Sequence, residues 1–384
     1  TEIYTLSLHD ALPISKVEGD TLVHRRLRWR VVVLPAADTL PMAAWENLAA
    51  FHRGGGVVIA VGARPANSER AFPDPRVQSI AAAMFDAQGA GAAAGPGAGV
   101  FLPEGLTSLL PRTLNALIEP DAAADGPGSP IRTTHRRVAD HDVYFAINDR
   151  AEPWEGTLRF PGRGVTGMWD PATGTKTALT NGAAVPLKLG AYGGMLFRAP
   201  SIEAPRRRHG ATGTMTALAR SALPAATPSL GAGRGTRTAM TGDAAAGWCA
   251  TSTATTNLPD THLFVSFDYP KGLDLGAAEG LIVESTVPAG ANTGPELLAI
   301  IRTTDGADYI TGTGRLLGTP GTATSHVAFA DFDRTSWSKP GPDRLDPSRI
   351  ISIRLGWGGH PGVTGETIAF TVRAPDSFAF GAAK

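Results

Sequence analysis

The sequence predicts a multidomain chain, α/β at its start and all-β from its middle onward, and three observations carry that reading. Two unbroken apolar runs, WRVVVLPAA at 29–37 and VVIAVG at 57–62, flank a segment with apolar residues at helical spacing. The stretch from His135 to Gly174 holds short strands separated by turn residues. From about Gly247 onward, short alternating strands recur at regular spacing. A chain of 384 residues has room for two to three domains with separate cores, and its 46 glycines and 30 prolines favour turn-rich β architectures over helical bundles.

Taken in order, the first domain is expected at 16–125. In MAAWENLAAFHRGGG, Trp45, Leu48, Ala49 and Phe51 or His52 fall on one helical face, and Gly54 to Gly56 stop the helix. With an apolar run on each side this is a βαβ unit, and strands without polar alternation belong to a parallel sheet covered on both faces. DPRVQSIAAAMFD predicts a second helix, and GLTSLLPRTLNALI a third, broken near Pro111. The next domain, 126–200, is expected to be a small β-sandwich. VYFAIN at 143–148 is an apolar strand, GTLRF at 156–160 puts Leu158 and Phe160 on one face, and GMWDPATG ends a third strand at Trp169 with Asp-Pro and Thr-Gly turn signals.

Residues 201–245 read as a partly disordered linker. Arg206, Arg207, Arg208, Arg220, Arg234 and Arg237 occur there without an acid between Glu203 and Asp243, amid Ala, Thr, Gly and Pro. Contact with an anionic surface is the alternative. The last domain, 246–384, is expected to be a sandwich or jelly roll built from THLFVSFDY, GLIVEST, ELLAIIRTT, DYITGTG, HVAFADF, RIISIRLGW and ETIAFTVRA.

Charge excludes some functions. Thirty-five basic and 35 acidic residues balance, which argues against a nucleic-acid binder, and no apolar run reaches transmembrane length, so no membrane partner is expected. One cysteine, Cys249, excludes an internal disulfide and a cysteine metal cluster.

Family resemblances enter on particular motifs. HRR…DVYFAIN…WDPATG, followed by PLKLGAYGGMLFRAP, resembles the small β-sandwich that follows the catalytic region in bacterial glycoside hydrolases of the α-L-rhamnosidase type. The 29–62 unit resembles the class I glutamine-amidotransferase-like domain that some glycosidases carry as a non-catalytic body. The turn Val61, Gly62, Ala63, Arg64, Pro65 lacks the thiol or hydroxyl that a nucleophile there requires. The missing start of that fold implies an exposed sheet edge. ELLAIIRTTDGADY, HVAFADF and RLDPSRIISIRLGWGG resemble jelly-roll carbohydrate-binding modules. Residues 1–14, TEIYTLSLHDALPI, resemble a translated sequencing adapter, so residues 1–15 are expected to be adapter-derived or disordered and the chain to be the C-terminal remainder of a longer protein.

Catalytic chemistry finds little support. A glycosidase needs two carboxyl groups about 5–10 Å apart on a rigid scaffold; Glu152 and Glu155 share one turn, and Asp170 reads as a turn former ahead of Pro171. No catalytic residue is assigned. No HExxH or G-x-S-x-G pattern occurs, so neither a metal centre nor a serine elbow is expected. A structural calcium held by Asp331, Asp333, Asp343 and Asp346 is the one cofactor considered.

Binding residues are sought in the last domain, because a sugar wants an aromatic plate beside fixed hydrogen-bonding groups. Trp337 and Trp357 are the plates, although Trp357 shares strand parity with Ile351, Ile353 and Leu355. Tyr309, Arg302, Asp305, Asp308 and Arg354 supply the polar groups. The resemblance implies an extracellular or periplasmic, non-catalytic glycosidase region that scaffolds its enzyme and binds plant or microbial polysaccharide. A stand-alone carbohydrate-binding or cell-surface protein is the alternative.

Overall fold

The computed structural model describes residues 12–25, 27–86, 97–125, 129–160, 164–201, 215–290 and 294–382. The chain divides into two compact units, one from residues 1–25, 31–111 and 212–384, the other from 26–30 and 112–211.

In the first unit the predicted βαβ pattern is present. Strands Val31–Pro35, Val57–Gly62 and Ala98–Pro103 form a parallel sheet in that order, with Val33 beside Ile59 and Ile59 beside Val100. The central strand buries Val57, Val58, Ile59 and Ala60 in succession, as a strand covered on both faces must. Helix Met42–Arg53 packs Trp45, Leu48 and Phe51 inward. The chain leaves it through Gly55 at φ 109° and Gly56, where a Cβ would stand 2.3 Å from the Phe51 ring. Helix Pro75–Phe85 starts on an Asp74 cap that accepts the Arg76 amide at 2.9 Å.

Two expectations about this region are corrected. Pro111 does not break a helix: a 3₁₀ turn, Thr107–Leu109, leads into helix Leu110–Leu117, whose first turn tolerates a residue without an amide hydrogen. Residues 1–11 lie outside the described residues, but 12–15 are ordered. Leu12 is buried, and the Asn47 amide donates to the carbonyls of Leu12 and Ser15.

The second unit holds the small sandwich. One sheet orders Lys176–Gly182, Val165–Trp169, Gly194–Pro200, His141–Asn148 and Ile131–Val138, and the other orders Ala184–Leu189, Trp154–Arg159 and Ala123–Ala124. Tyr144, Ala146, Phe197 and Ala199 from the first meet Leu158, Val185, Leu187 and Leu189 from the second in one core. The His-Arg-Arg motif has a physical role here. Arg137 donates to the fully buried Asp142 carboxylate at 3.0 Å, and His135 reaches it at 3.2 Å while stacking on Tyr144.

The C-terminal domain is a two-sheet antiparallel sandwich that begins earlier than expected. The predicted linker at 201–245 is corrected: Met215–Ala222, Pro228–Ala232 and Thr236–Asp243 are strands of the sandwich. Residues 202–214 of that segment lie outside the described residues. One sheet orders Met215–Ala222, Asp376–Ala382, Gly280–Val287, Thr367–Val372, Gly247–Ala254 and Thr236–Asp243, with Gly321–Ala328 also paired to Gly280–Val287. The other orders Pro228–Ala232, Leu258–Leu273, Ile350–Gly362, Glu296–Thr303, Asp308–Leu316 and Asp333–Arg334. Arg220, counted above toward an anionic contact, pairs with Asp376 and with Glu284.

Alternation fills the core. Leu263, Val265 and Phe267 point inward from one strand, and Ile353, Leu355 and Trp357 from its neighbour. Trp357 is 1% exposed and meets Phe370 edge-on at 5.7 Å. The expectation that it is a sugar plate is therefore corrected, because its parity with Ile353 and Leu355 commits it to the inward face. Trp357→Ala is expected to lower stability by about 3–5 kcal/mol, read as a lower midpoint in urea unfolding; an unchanged midpoint would contradict its place in the core.

Candidate functional site

The face of the six-stranded sheet turned away from this core carries an ordered array of side chains. Register places them in three rows. Gly231, Phe264, Gly356, Leu298 and Gly312 form the first; Ser229, Ser266, Arg354, Ile300 and Ile310 the second; Asp268, Ser352, Arg302 and Asp308 the third. A depression of about 470 Å³ opens over the last two rows, lined by Ser266, Asp268, Arg302, Ser352 and Arg354. In the first row the half-buried Phe264 ring has glycine neighbours on both adjoining strands, so no side chain from them screens it. Gly356 is there by necessity, since a Cβ would lie 1.9 Å from the Leu263 carbonyl oxygen.

Asp308 organises the polar rows. It is 3% exposed, accepts two hydrogen bonds from Arg302 at 2.8 Å each, and forms an ion pair with Arg354 at 2.5 Å. Burial alone would raise its pKa. The hydrogen bonds and charges of Arg302 and Arg354 outweigh burial and hold it below the usual carboxylate value. Arg302 is correspondingly raised by its bond to Asp308. The Arg354 Nε is buried among the described residues without a hydrogen-bond partner, although the side chain lines the depression.

The predicted site residues thus divide. Arg302, Asp308 and Arg354 are brought together. Tyr309 is not with them: it faces the core at 1% exposure and donates its hydroxyl to the Pro342 carbonyl at 2.8 Å, anchoring the next loop. Asp305 closes a hairpin, accepting from the Thr303 hydroxyl at 2.6 Å and the Ala307 amide at 3.1 Å, which lower its pKa. Trp337 is 66% exposed and follows Thr335, whose amide donates to the Asp308 carbonyl, so its loop leaves from the edge of the same sheet. His262, Phe264, Ser266, Asp268 and Ser352 were missed in the sequence. Their signal is the alternate parity of THLFVSFDY, which sends Leu263, Val265 and Phe267 inward and His262, Phe264, Ser266 and Asp268 outward, and that of RIISIRLGW, which puts Ser352 on the face of Arg354.

The remaining candidates do not form a site. Arg64, in the turn after Val57–Gly62, pairs with Asp86 at 2.7 Å. Glu155 is an exposed partner of Lys188, and Asp170 accepts the Ala172 amide as a turn former. Asp121 and Asp142 are bridged by His135, but Asp142 is 0% exposed and cannot touch a substrate. The calcium expectation is corrected: Asp331 accepts from Ser108, Asp343 pairs with Arg334, and Asp346 caps the 3₁₀ turn Pro347–Arg349. Among the described residues no three acidic, histidine or cysteine side chains converge as a metal site.

The fold is thus a parallel α/β element with two β-sandwiches, one of them bearing a polar outer face. A family model described as alpha-L-rhamnosidase matches residues 6–181, just under half of the chain. No curated protein matches. Among solved structures, the family 11 carbohydrate-binding module of the cellulosomal cellulase Lic26A-Cel5E of Clostridium thermocellum aligns at 17% identity, over 43% of this chain and 96% of that one, with a TM-score of 0.32. A family 11 carbohydrate-binding module from Clostridium thermocellum in complex with a beta-1,3-1,4-mixed-linked tetrasaccharide aligns at 17% identity, over 43% of this chain and 98% of that one, with a TM-score of 0.33. The rhamnosidase from Novosphingobium sp. PP1Y aligns at 15% identity over 91% of this chain, with a TM-score of 0.39. The chain spans 36% of that rhamnosidase's length.

Replacing Asp308 with Asn is expected to destabilise the protein at pH 7 by about 1–3 kcal/mol, allowing for the partial exposure of Arg302. Because the folded pKa is depressed, Asp308 stabilises above the unfolded carboxylate value of about 3.9 and loses that contribution as pH falls through its lower folded value. The gap between wild type and variant in urea unfolding should therefore be constant near neutrality and shrink below about pH 4.

Proposed function

We propose that this chain is a non-catalytic part of a glycoside hydrolase related to the alpha-L-rhamnosidases, which scaffolds the catalytic body and holds polysaccharide on the outer face of its six-stranded sheet. The observation that carries this reading is the Arg302–Asp308–Arg354 cluster, whose two arginines line the depression. Guanidinium groups fixed by a carboxylate present their remaining donors to sugar hydroxyls at little entropic cost. Phe264, without side-chain screening from Gly231 or Gly356, offers a surface to the C–H face of a pyranose. The match of residues 6–181 to the alpha-L-rhamnosidase model supports a glycosidase parent.

In this reading the parallel sheet is the amidotransferase-like body, present without a nucleophile. The protein works outside the cytoplasm, where plant or microbial polysaccharide is found. Tethering the glycan raises its effective concentration near the catalytic centre, so weak binding at one face suffices.

The test uses the full chain. Calorimetry against a panel of neutral polysaccharides should detect binding, and Arg354→Ala and Phe264→Ala should each weaken it by about tenfold while leaving the thermal midpoint within a few degrees. The chain alone should release no aryl group from aryl rhamnosides. Turnover abolished by removing a carboxylate, or binding indifferent to both substitutions, would overturn the assignment.

A further inference from the structure

The small sandwich has its own depression, separate from the face described above. It holds about 460 Å³ and lies on the solvent side of the five-stranded sheet. Register again fixes its layout. Trp169 lies between Lys176 and Leu196, and Gly167 lies between Ala178 and Arg198, with Val143 beside Arg198 on the next strand. The nearest atom to a Cβ on Gly167 would be 3.7 Å away, so the missing side chain leaves a gap in the floor between Trp169 and Arg198.

Three features of this depression point to one ligand chemistry. Trp169 is 43% exposed, unusual for so large an apolar ring. The Lys176 ammonium stands 5.0 Å from the indole centroid, within cation–π range, which restrains the plate and puts a positive charge beside it. The lining includes His141, Lys176 and Arg198 but no carboxylate. Two acids adjoin lining residues in the chain: Asp140, whose carboxylate accepts a hydrogen bond from His141 at 3.1 Å and whose pKa is lowered chiefly by that bond, and Asp170, which follows Trp169 and accepts the Ala172 amide at 2.8 Å. Apolar floor, aromatic plate and cationic wall together suit a ring with a C–H face and an attached anion.

We infer that this depression is a second glycan site, specific for a sugar bearing a carboxylate, a hexuronate unit of an acidic polysaccharide. Trp169 stacks on the pyranose, and Arg198 and Lys176 bind the carboxylate. The inference shares the glycan-binding reading above but depends on none of the residues that carry it. Two sites on one chain would engage two kinds of sugar in a mixed polymer.

The experiment titrates the full chain with a galacturonate trimer and with its carboxyl-reduced, neutral counterpart. The acidic trimer should bind about tenfold more tightly, and raising sodium chloride to about 0.5 M should erase that advantage. Trp169→Ala should weaken both ligands by about tenfold, whereas Arg198→Gln and Lys176→Gln should weaken only the acidic one, and Arg198→Lys should restore part of the loss. These side chains are exposed, so thermal midpoints should not move. The loss caused by Arg198→Gln should be the same with and without Phe264→Ala, which separates this site from the sheet face. Equal affinity for the two trimers, no binding of either, indifference to Trp169→Ala, or equally tight binding of a polyaspartate would overturn the inference.

Discussion

A carboxylate as buried as Asp308 has to find its counter-charges inside the protein, and it finds them on two neighbouring strands of its own sheet. Arg302 grips it from one strand and Arg354 from the next. Each guanidinium is thereby fixed in direction, and the polar rows are held in place before any ligand arrives. Remove the carboxylate and two positive charges repel across a few ångströms with nothing to orient them. The neighbouring groups, Ser266, Asp268 and Ser352, add hydroxyls and a charge to a surface whose geometry is already set.

The same pleat that builds this face builds the core behind it. Along Leu258–Leu273 and Ile350–Gly362, one parity is aliphatic and aromatic and faces inward, while the other, largely polar apart from Phe264 and its glycine neighbour Gly356, faces out. Core and site are therefore not independent: a one-residue slip in register would bury Arg354 and expose Leu355. The small sandwich shows the same coupling. There Tyr144 and Phe197 fill the inner face, and Val143 and Arg198 emerge on the other side.

Much of this was legible in the sequence, for identifiable reasons. The parallel sheet announced itself because Val57 to Ala60 are all buried and leave no polar alternation. The strands of the C-terminal sandwich were readable from Leu263–Phe267 and Ile353–Trp357 because both faces differ in character. The segment 215–243 was mistaken for a linker because its three strands are terminal in their sheets. Terminal strands pair on one side only, and here they pack Leu230 and Met240 only partly against the core, so small residues, Thr and Arg suffice. At the site, sequence proximity found Arg302 and Asp308, and strand alternation found Arg354, but proximity also collected Asp305 and Tyr309, which neighbour Arg302 and Asp308 in the chain and face elsewhere. Trp357 was singled out for its chemistry, while its parity already assigned it inward. Phe264 and Ser266 were hidden because they come from a strand about ninety positions away from Arg354, and only register joins them.

One pairing has a consequence for how this sandwich tolerates rearrangement. Its first strand, Met215–Ala222, lies antiparallel to its last, Asp376–Ala382, with Met215 opposite Ala382. The two ends of the domain therefore meet at a single corner. A short peptide could join them into a ring, and the ring could be reopened at the exposed hairpin tip between Asp243 and Gly247, which lies beyond the last paired residues.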